Sequence, residues 1–379
     1  MKKLNSKALD YHAFPQPGKL SVSSSKTCDT AEDLSLAYTP GVAEPVLEIV
    51  KDPKNAYRFT NKGNLVAVIT NGTAVLGLGN TGALASKPVM EGKGVLFKRF
   101  ADIDVYDIEI DCEDPDEFIQ TVVNISPTFG GINLEDIAAP ECFYIESELK
   151  KRLSIPVFHD DQHGTAVIVA AGLINALEIQ QKLIEKVKIV FLGAGAAGCS
   201  CARLLKLMGA TDITMVDSKG ILSNDRKNLN QYNQDLAIDT KGKTFNDAIQ
   251  HADVFIGVSG ANLLKDEHVK SMSKKPIIFA LANPDPEMLP SEAHAIRDDI
   301  VMATGRSDFD NQVNNVLGFP FLFKGALEAK AKQINTDMLI AAANALALLA
   351  KEPVPQSVLE AYDVAELNFG PNYIIPKPC

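Results

Sequence analysis

The chain has 379 residues, 46% of them hydrophobic, with a formal net charge of −11 and a pI near 5.1. This length exceeds one ordinary hydrophobic core and predicts about two domains. The acidic balance argues against a nucleic-acid-binding surface, and no stretch approaches the roughly 18 consecutive apolar residues of a membrane helix. We therefore expect neither nucleic acid nor a membrane as a partner.

The N-terminus and the cysteines favour a cytoplasmic protein. MKKLNSKALDYHAF begins with lysines, but the apolar segment of a secretory signal does not follow. The cysteines show neither C-x-x-C pairs nor the density of a disulfide-stapled protein. They are Cys28, Cys112, Cys142, Cys199, Cys201 and Cys379. Free thiols suit a reducing compartment.

Residues 1–158 are predicted to form a first α/β domain. Helices are predicted near residues 42–51 and 114–125. Four strand-like runs, separated by short turns, are NLVAVIT, TAVLGLG, GVLFKRF and IDVYDIEID.

This first half contains a G-x-G-x-x-G pattern, formed by Gly77, Gly79 and Gly82. A dinucleotide site needs such a pattern to open a helix. The segment that follows, ALASKPVMEGKG, carries Pro88 and two more glycines, so we predict no regular helix there. We expect these glycines instead to let the backbone approach a ligand in a cleft between the domains.

Two acidic pairs end apolar runs: Glu135 and Asp136 follow GGINL, and Asp160 and Asp161 follow SIPVFH. Adjacent residues on a strand point to opposite faces, so both members of a pair can serve one site only where the strand ends. Ligands bind at the carboxyl ends of strands in open α/β sheets, and carboxylates converging there would suit Mg²⁺ or Mn²⁺. The alternative is that the second pair caps a helix starting near Thr165.

Two histidines, His159 and His163, flank the second acidic pair at a spacing of four residues. This spacing occurs in zinc sites, but a third nitrogen or sulfur ligand is not apparent and the carboxylate-rich setting disfavours zinc. We interpret both histidines as structural residues or as residues behind a metal site.

Residues 159–379 are predicted to form a doubly wound, Rossmann-type α/β domain with a helical C-terminal tail. A helix over residues 165–183 leads into a strand at 187–192, and a further helix covers 245–251. Three more strand-like runs are DVFIGVSG, PIIFALANP and DIVMATG. Strands that alternate with helices form a mostly parallel sheet covered on both faces.

The most specific local pattern is KVKIVFLGAGAAGCSCARLLKLMGATDITMVDSKG, residues 186–220. Strand, glycine turn, amphipathic helix, second strand and terminal Asp217 follow in the order of a dinucleotide-binding βαβ unit. Gly193 would permit the tight turn, Gly195 the close approach of a pyrophosphate, and Gly198 the packing of helix on sheet. The remaining residues of the loop and helix start are Ala194, Ala196 and Ala197. We therefore expect the chain to bind NAD or NADP.

Five other polar residues are candidates for catalysis or binding. Lys93 lies between glycines before a predicted strand, where burial would lower its pKa and suit a general base, although a surface lysine is the alternative. Tyr38 precedes a Thr-Pro-Gly turn and is either an acid or a packing residue. Asn283, Asn314 and Asn315 would bind a carboxylate or the nicotinamide carboxamide, or would only form Asx turns.

Taken together, these segments resemble the malic enzymes, in their short, bacterial-type branch. The resemblance rests on SLAYTPGVAEP, VITNGTAVLGLGNTGALASKPVMEGKGVLFKRFADIDVYDIEID, PTFGGINLEDIAAPECFYIE, IPVFHDDQHGTA and TGRSDFDNQVNNVLGFPF, and it covers nearly the whole chain. It implies oxidative decarboxylation of (S)-malate to pyruvate and CO₂, with reduction of NAD(P)⁺ and a requirement for Mg²⁺ or Mn²⁺. It also implies a homodimer.

The resemblance further implies roles for individual residues. Tyr38 would be the acid and Lys93 the base, with Asp160 as the partner of the lysine. The implied metal ligands are Glu135, Asp136 and Asp161. The implied substrate contacts are Lys93, Asn283, Asn314 and Asn315, and Asn283 is also expected near the cofactor.

The chain departs from the family pattern in two places. Longer malic enzymes carry an arginine that clamps a substrate carboxylate where this chain has Ala74, so another group must bind that carboxylate. Some short relatives continue into an acetyltransferase-like C-terminal domain, whereas this sequence ends at Cys379, and we expect no regulation through such a domain.

The choice between NAD and NADP depends on the residues after the second strand. Asp217 alone favours NAD, because its carboxylate would bind the ribose diol and repel a 2′-phosphate. In the family that the chain resembles, however, NADP users keep this aspartate, and Ser218 and Lys219 resemble the NADP-using branch. We expect NADP, with NAD as the alternative.

Two other functions stay open at this point. A malolactic-type enzyme would reduce pyruvate to lactate before releasing it. A non-catalytic regulator would keep the Rossmann unit only to bind a dinucleotide.

Overall fold

The computed structural model describes residues 2–378, and two parallel β-sheets form its framework. The strands of the first sheet are β1 (Leu65–Thr70), β2 (Asp104–Glu109), β3 (Gly131–Leu134) and β4 (Val157–His159). Their order is β2-β1-β3-β4, and every pairing is parallel. All six residues of β1 are buried, as expected for a central strand whose two faces are both covered by helices.

The second sheet has six strands in the order β10-β9-β8-β5-β6-β7. They are β5 (Lys188–Leu192), β6 (Asp212–Asp217), β7 (Gly220–Ile221), β8 (Val254–Gly257), β9 (Ile277–Ala280) and β10 (Val301–Thr304). The short edge strand β7 is antiparallel to β6, and the other strands pair in parallel. The strand order reverses between β5 and β8, which confirms the predicted doubly wound fold and places a ligand crevice at the end of β5.

Helices cover both sheets. In the first half they are α1 (Lys2–Ala13), α2 (Ala31–Ala37), α3 (Ala43–Lys51), α4 (Ala56–Phe59), α5 (Ala83–Ala101), α6 (Pro115–Ile125) and α7 (Glu141–Arg152). In the second half they are α8 (Thr165–Gln180), α9 (Ala196–Leu207), α10 (Phe245–Ile249), α11 (Asp266–Ser271), α12 (Pro290–Ile296), α13 (Phe319–Glu328), α14 (Thr336–Leu349) and α15 (Gln356–Ala361). The last three confirm the predicted helical tail.

Helix α5 contradicts two of the sequence predictions. We predicted no regular helix after Gly82 and a strand at GVLFKRF, but a helix of 19 residues runs through both segments and contains Pro88. Met90 and Phe97, two helical turns apart, are fully buried where the helix packs on β1 and β2. Burial of this face outweighs the backbone hydrogen bond that the proline cannot donate.

The predicted strand TAVLGLG is also wrong. Leu76–Leu78 forms a single 3₁₀ turn, and Gly72, Gly79 and Gly82 adopt positive φ angles of 69°, 79° and 78°. Backbone in this region cannot continue an extended strand, so the segment folds into a compact loop before α5.

Helix α8 joins the two halves of the molecule. It is apolar on nearly every face and packs against α9 and α14. Val66 of the first sheet and Phe191 of the second belong to one continuous hydrophobic core. The predicted division into residues 1–158 and 159–379 falls at the end of β4, and as a domain boundary it stays a prediction.

Two further observations concern the part of the chain that the structure describes. None of its helices is both long and apolar enough to cross a membrane. Its five cysteines are free thiols: Cys28, Cys112, Cys142, Cys199 and Cys201. Cys199 and Cys201 are buried in α9.

Asn175 of α8 provides a test of how the C-terminal segment is held. It is fully buried, and its Nδ2 donates to the carbonyls of Ala347 at 2.9 Å and Ile374 at 2.8 Å. Asn175→Ala would leave both carbonyls buried without a donor, so we expect a loss of about 2–4 kcal/mol in the free energy of unfolding. Urea denaturation measures the loss.

The exposed Asn372, in the same C-terminal segment, supplies the control. Asn372→Ala should change the free energy of unfolding by less than about 0.5 kcal/mol. If the two variants were equally stable, the Asn175 hydrogen bonds would not be what fixes the segment.

Candidate active site

A cleft of about 780 Å³ is lined by residues from both halves of the molecule. Lys93 of α5 and Glu135, which follows β3, line it from the first half, and Val258 and Asn283, which follow β8 and β9, line it from the second. A volume of this size suits a small-molecule site.

The two acidic pairs lie where the sequence analysis predicted, at the carboxyl ends of strands. Glu135 and Asp136 directly follow β3, and Asp160 and Asp161 directly follow the neighbouring strand β4. Asp136 has a φ of 53°, so the backbone turns sharply at this point. A π-helical turn over Asp160–Gly164 then leads into α8, which begins without a side-chain cap, so neither aspartate has the alternative capping role.

Three of these carboxylates form a group that fits a divalent cation. One oxygen from each of Glu135, Asp136 and Asp161 lies within 4.8 Å of the other two. The backbone amide of Asp136 donates to Asp161 Oδ2 at 2.9 Å, and Asn133 Nδ2 donates to Glu135 Oε2 at 2.9 Å, which fixes the orientation of the carboxylates. Such hard oxygen donors match Mg²⁺ or Mn²⁺.

Electrostatics support the same interpretation. Burial raises the pKa of Glu135, despite the opposing effect of Lys93, and burial also raises the pKa of Asp161. The negative charges of carboxylates crowded together in this way repel one another. A divalent cation bound between them would compensate this charge.

Lys93 is buried beside this group. Its Nζ lies 2.6 Å from Asp160 Oδ2 and 2.9 Å from Glu135 Oε1, and 4.3 Å from the centre of the Phe319 ring. The expectation of a lowered pKa is wrong for this arrangement: burial does oppose the charge, but Asp160 and Glu135 outweigh burial and raise the pKa of Lys93. The residue pattern suggested the burial of the lysine and the resemblance implied Asp160 as its partner, but Glu135 as a second partner was not expected.

The histidines have the structural character that we expected. His159 is fully buried, and burial lowers its pKa to about 4. Its Nδ1 lies 3.7 Å from Asp161 Oδ2, behind the carboxylate group. His163 instead lies 2.9 Å from a carboxylate oxygen of Glu146, so the two imidazoles do not share a zinc-type site.

The three asparagines all line the cleft, but they differ in their contacts. Asn315 donates through Nδ2 to Asp160 Oδ2, so it helps to hold the partner of Lys93. Asn314 accepts from the amide of Val316 at 3.0 Å, which is the Asx turn that the sequence analysis left as an alternative. Asn283 reaches the cleft from the end of β9.

The glycine fingerprint has the geometry of a nucleotide loop. A Cβ on Gly193, whose φ is 122°, would lie 2.7 Å from the carbonyl oxygen of Val258, and one on Gly198 would lie 1.9 Å from that of Gly193. A Cβ on Gly195 would meet nothing within 4 Å, which leaves this backbone open to a ligand. The loop residues Ala194, Ala196 and Ala197 surround the start of α9, and Ala197 lines the cleft.

The other glycine pattern has a different use. A Cβ on Gly77 would lie 2.7 Å from the carbonyl oxygen of Asn283. Gly77 therefore permits a close contact between the loop before α5 and the loop after β9, at the edge of the cleft.

Asp217 has a partner that the sequence analysis missed. Arg226 forms a two-pronged contact with it, with Nη1 2.9 Å from Oδ1 and Nη2 2.7 Å from Oδ2, and the amide of Lys219 donates to Oδ1 at 2.8 Å. These contacts lower the pKa of Asp217 against the effect of burial. The sequence does show a basic residue, Arg226, in the polar segment after β7. Only the folded structure shows that this residue pairs with Asp217.

Tyr38 is the one predicted catalytic residue that the structure keeps away from the others. It follows α2, 70% of its surface is exposed, and it lies outside the lining of the cleft. Ala74 does line the cleft, as the resemblance implied, with its amide donating to the carbonyl oxygen of Asp136 at 2.9 Å. Sequence reasoning missed two further lining residues, Tyr11 and Lys19.

Comparison with known protein families identifies the same two halves. Residues 17–150 match the model of the malic enzyme N-terminal domain, and residues 162–360 match that of the malic enzyme NAD-binding domain.

Individual relatives agree with the family models. The chain is 60% identical over 373 residues to the NADP-dependent malic enzyme of Halomonas elongata, and the match covers 98% of this chain and 88% of that protein. It is 56% identical to the NADP-dependent malic enzyme of Escherichia coli K12, where it covers 99% of this chain but only 50% of the relative. The crystal structure of malic enzyme from Pyrococcus horikoshii superposes with a TM-score of 0.89 at 44% identity, covering 99% of this chain and 86% of that one. The chain belongs to the malic enzyme family.

Proposed function

We propose that this protein catalyses the oxidative decarboxylation of (S)-malate to pyruvate and CO₂ with NADP⁺ as the electron acceptor. The observation that carries the proposal is the position of Lys93 and Asp160 next to three clustered carboxylates, in the same cleft as the nucleotide loop. A base, a cation site and a hydride acceptor are the components that this reaction requires.

Glu135, Asp136 and Asp161 would hold Mg²⁺ or Mn²⁺. When bound, the ion supplies Lewis-acid polarisation of substrate oxygens and positive charge beside Lys93.

Lys93 and Asp160 together accept and transfer the proton of the C2 hydroxyl of malate. Lys93 must be uncharged to accept this proton, and Asp160 Oδ2 at 2.6 Å is placed to take the proton that the lysine carries at rest. Burial raises the pKa of Asp160, but the carboxylates also raise that of Lys93, so the proton rests on the lysine until a cation is bound. A divalent ion at the neighbouring carboxylates would lower the pKa of Lys93 and favour transfer of its proton to Asp160. The hydroxyl proton then moves to Lys93 as hydride leaves C2 for the nicotinamide, which gives oxaloacetate. Loss of CO₂ from C4 of oxaloacetate leaves the enolate of pyruvate.

Tyr38 is proposed as the acid that protonates C3 of enolpyruvate, and we propose that a second copy of the chain supplies it. Helices α2, α3 and α4 contain no buried residue, and they expose an apolar surface formed by Leu34, Leu36, Val46, Leu47 and Val50. A surface of this kind is typical of an interface. In a homodimer formed through it, Tyr38 of one copy would reach the cleft of the other.

The proposed preference for NADP rests on the charged residues at the end of β6 and in the segment that follows it. Arg226 already neutralises Asp217, which reduces the repulsion that a bare aspartate would exert on a 2′-phosphate. Ser218 and Lys219 add a hydroxyl and a cation to the same turn.

We expect the protein in the cytoplasm, since its described cysteines are free thiols. The silent regulator is less well supported, because Lys93, Asp160 and the three clustered carboxylates are all in place. A malolactic-type enzyme would use the same residues, so only its product distinguishes it. Accumulation of NADPH with pyruvate as the product would exclude both alternatives.

Removal of the metal gives the first functional test. EDTA should abolish malate oxidation, and Mn²⁺ or Mg²⁺ should restore it. Asp161→Asn removes one ligand charge and should raise the Mn²⁺ concentration needed for half-maximal activity by at least about tenfold. Titration calorimetry with Mn²⁺ alone should show the same weakening, whereas the exposed Asp212→Asn should show none. Unchanged Mn²⁺ affinity in Asp161→Asn would remove Asp161 from the site.

The shared site is tested by mixing inactive variants. Tyr38→Phe should impair protonation and decarboxylation more than hydride transfer, and Lys93→Ala should abolish malate oxidation. If Tyr38 acts across a symmetric dimer, each mixed dimer contains one site with both residues intact. Unfolding and refolding the two variants together should then restore about a quarter of wild-type activity. A mixture that stays inactive, although mixed dimers form, would mean that Tyr38 does not act from the second copy.

Cofactor choice is tested at Arg226 and Lys219. Lys219→Ala should weaken the use of NADP by roughly 1–2 kcal/mol and leave NAD nearly unchanged. Arg226→Ala should reduce kcat/KM for NADP more strongly, because it also frees the charge of Asp217. The exposed neighbour Lys227→Ala is the control and should change neither value. Equal losses of kcat/KM with NAD and NADP would show that these residues do not recognise the 2′-phosphate.

A further inference from the structure

For a dicarboxylate substrate, a second cation in the cleft would provide an ionic partner for the carboxylate that the metal does not bind. Malate carries two carboxylates, and the clustered carboxylates with their metal can serve only the end of the molecule that contains C1 and C2. Lys93 is already engaged by Asp160 and Glu135, and Ala74 offers no charge. Among the described residues that line the cleft, the basic side chains are Lys93 and Lys19.

Lys19 is held at the cleft by two uncharged hydrogen-bond partners, while Glu91 and Asp107 attract its charge without a direct contact to the ammonium. Its Nζ lies 3.0 Å from His12 Nε2 and 2.5 Å from the carbonyl oxygen of Pro88. His12 Nδ1 faces the carbonyl oxygen of Ala8 at 2.7 Å, so Nδ1 bears the proton and Nε2 accepts from Lys19. An ammonium has three N–H donors, and these two contacts use two of them.

The glycines around Lys93 make room for this arrangement. A Cβ on Gly92 would lie 3.3 Å from Lys19 Nζ, and one on Gly94 would lie 2.7 Å from Leu20 Cδ1. Gly18, with a φ of 84°, turns the chain over Glu91, whose Oε2 accepts from the amide of Lys19 at 3.0 Å. Residues 18–20 therefore pack directly on the part of α5 that carries the base.

Burial lowers the pKa of Lys19, against the attraction of Glu91 and Asp107. A cation in this state gains from an anionic ligand, because the ligand replaces the hydration that burial removes.

We propose that Lys19 binds the C4 carboxylate of the substrate, the group that leaves as CO₂. This inference rests on the proposed function, since it assumes malate in the cleft. In this proposal Lys19 takes the place of the arginine that Ala74 cannot supply, and it does so from the N-terminal segment that packs on the glycines of α5. Lys19 is thus a specificity residue for a 2-hydroxy acid with a second carboxylate.

The charge that Lys19 would bind is on the C4 carboxylate of malate, and this position determines how KM and kcat should change when Lys19 is replaced. The negative charge leaves the C4 carboxylate as CO₂ forms, so an ionic contact with Lys19 stabilises bound malate at least as much as the transition state for decarboxylation. Loss of the contact should therefore raise KM for malate without lowering kcat in proportion.

The experiment compares malate with (S)-lactate, which lacks only the C4 carboxylate. Lys19→Gln should raise KM for malate roughly 10- to 100-fold, the range expected for a charged hydrogen bond. The inhibition constant of (S)-lactate against malate should change less than about twofold, since lactate has no group for Lys19 to bind. Lys19→Arg should recover most of the affinity for malate, and the exposed Lys26→Gln should behave as wild type.

Each outcome has a definite meaning. Equal losses of malate and lactate binding, not recovered by Lys19→Arg, would make Lys19 a structural residue of the N-terminal segment and overturn the inference. An unchanged KM for malate in Lys19→Gln would also overturn it. The affinity for NADP⁺ and the melting temperature of Lys19→Gln show whether the variant is folded. A wild-type protein that does not turn over malate at all would instead refute the proposed function.

Discussion

The structure of the cleft depends on one buried ion cluster, in which Lys93 lies between Asp160 and Glu135. A buried charge is costly unless it is paired, and removal of one member of such a cluster typically costs about 3–5 kcal/mol. The lysine therefore binds helix α5 to the ends of β3 and β4, since each carboxylate directly follows one of those strands. The same carboxylates lie in or beside the cluster of Glu135, Asp136 and Asp161, so the contact that stabilises the cleft also brings the proposed base and the proposed metal ligands together.

The surrounding core keeps α5 at the distance that this cluster needs. Phe97 of α5 packs edge-on against Phe319 and Phe323 of α13, with ring centres 4.8 and 5.3 Å apart. Helix α13 lies beyond the second sheet in the sequence, so a C-terminal helix supports the helix of the first half that carries Lys93, the proposed base. The two halves consequently share one core in this structure, and a change in that core would alter the site as well as the stability.

At the nucleotide end of the cleft, backbone groups are more important than charged side chains. There the backbone provides the binding surface, because glycines remove the Cβ atoms that would block it and α9 presents its N-terminal amides. Side-chain charge is concentrated further out, where Arg226 covers Asp217. In the proposed function, recognition of the dinucleotide body and selection between NAD and NADP are thus separated in space.

Motifs along nearly the whole chain carry the resemblance to the family. Through local patterns with a fixed period or spacing, the sequence by itself also determined the α/β class, the doubly wound second half, the nucleotide loop and the acidic pairs at strand ends. It led to a wrong prediction for α5, since Pro88 and the glycines disfavour a helix locally and only burial of Met90 and Phe97 against the first sheet overcomes that preference. Only the tertiary structure could decide the charge state of Lys93, the neutralisation of Asp217 by Arg226, the exposure of Tyr38 and the position of Lys19. Each of these depends on which charges and surfaces meet across long sequence separations, and such contacts leave no periodic signal in the chain.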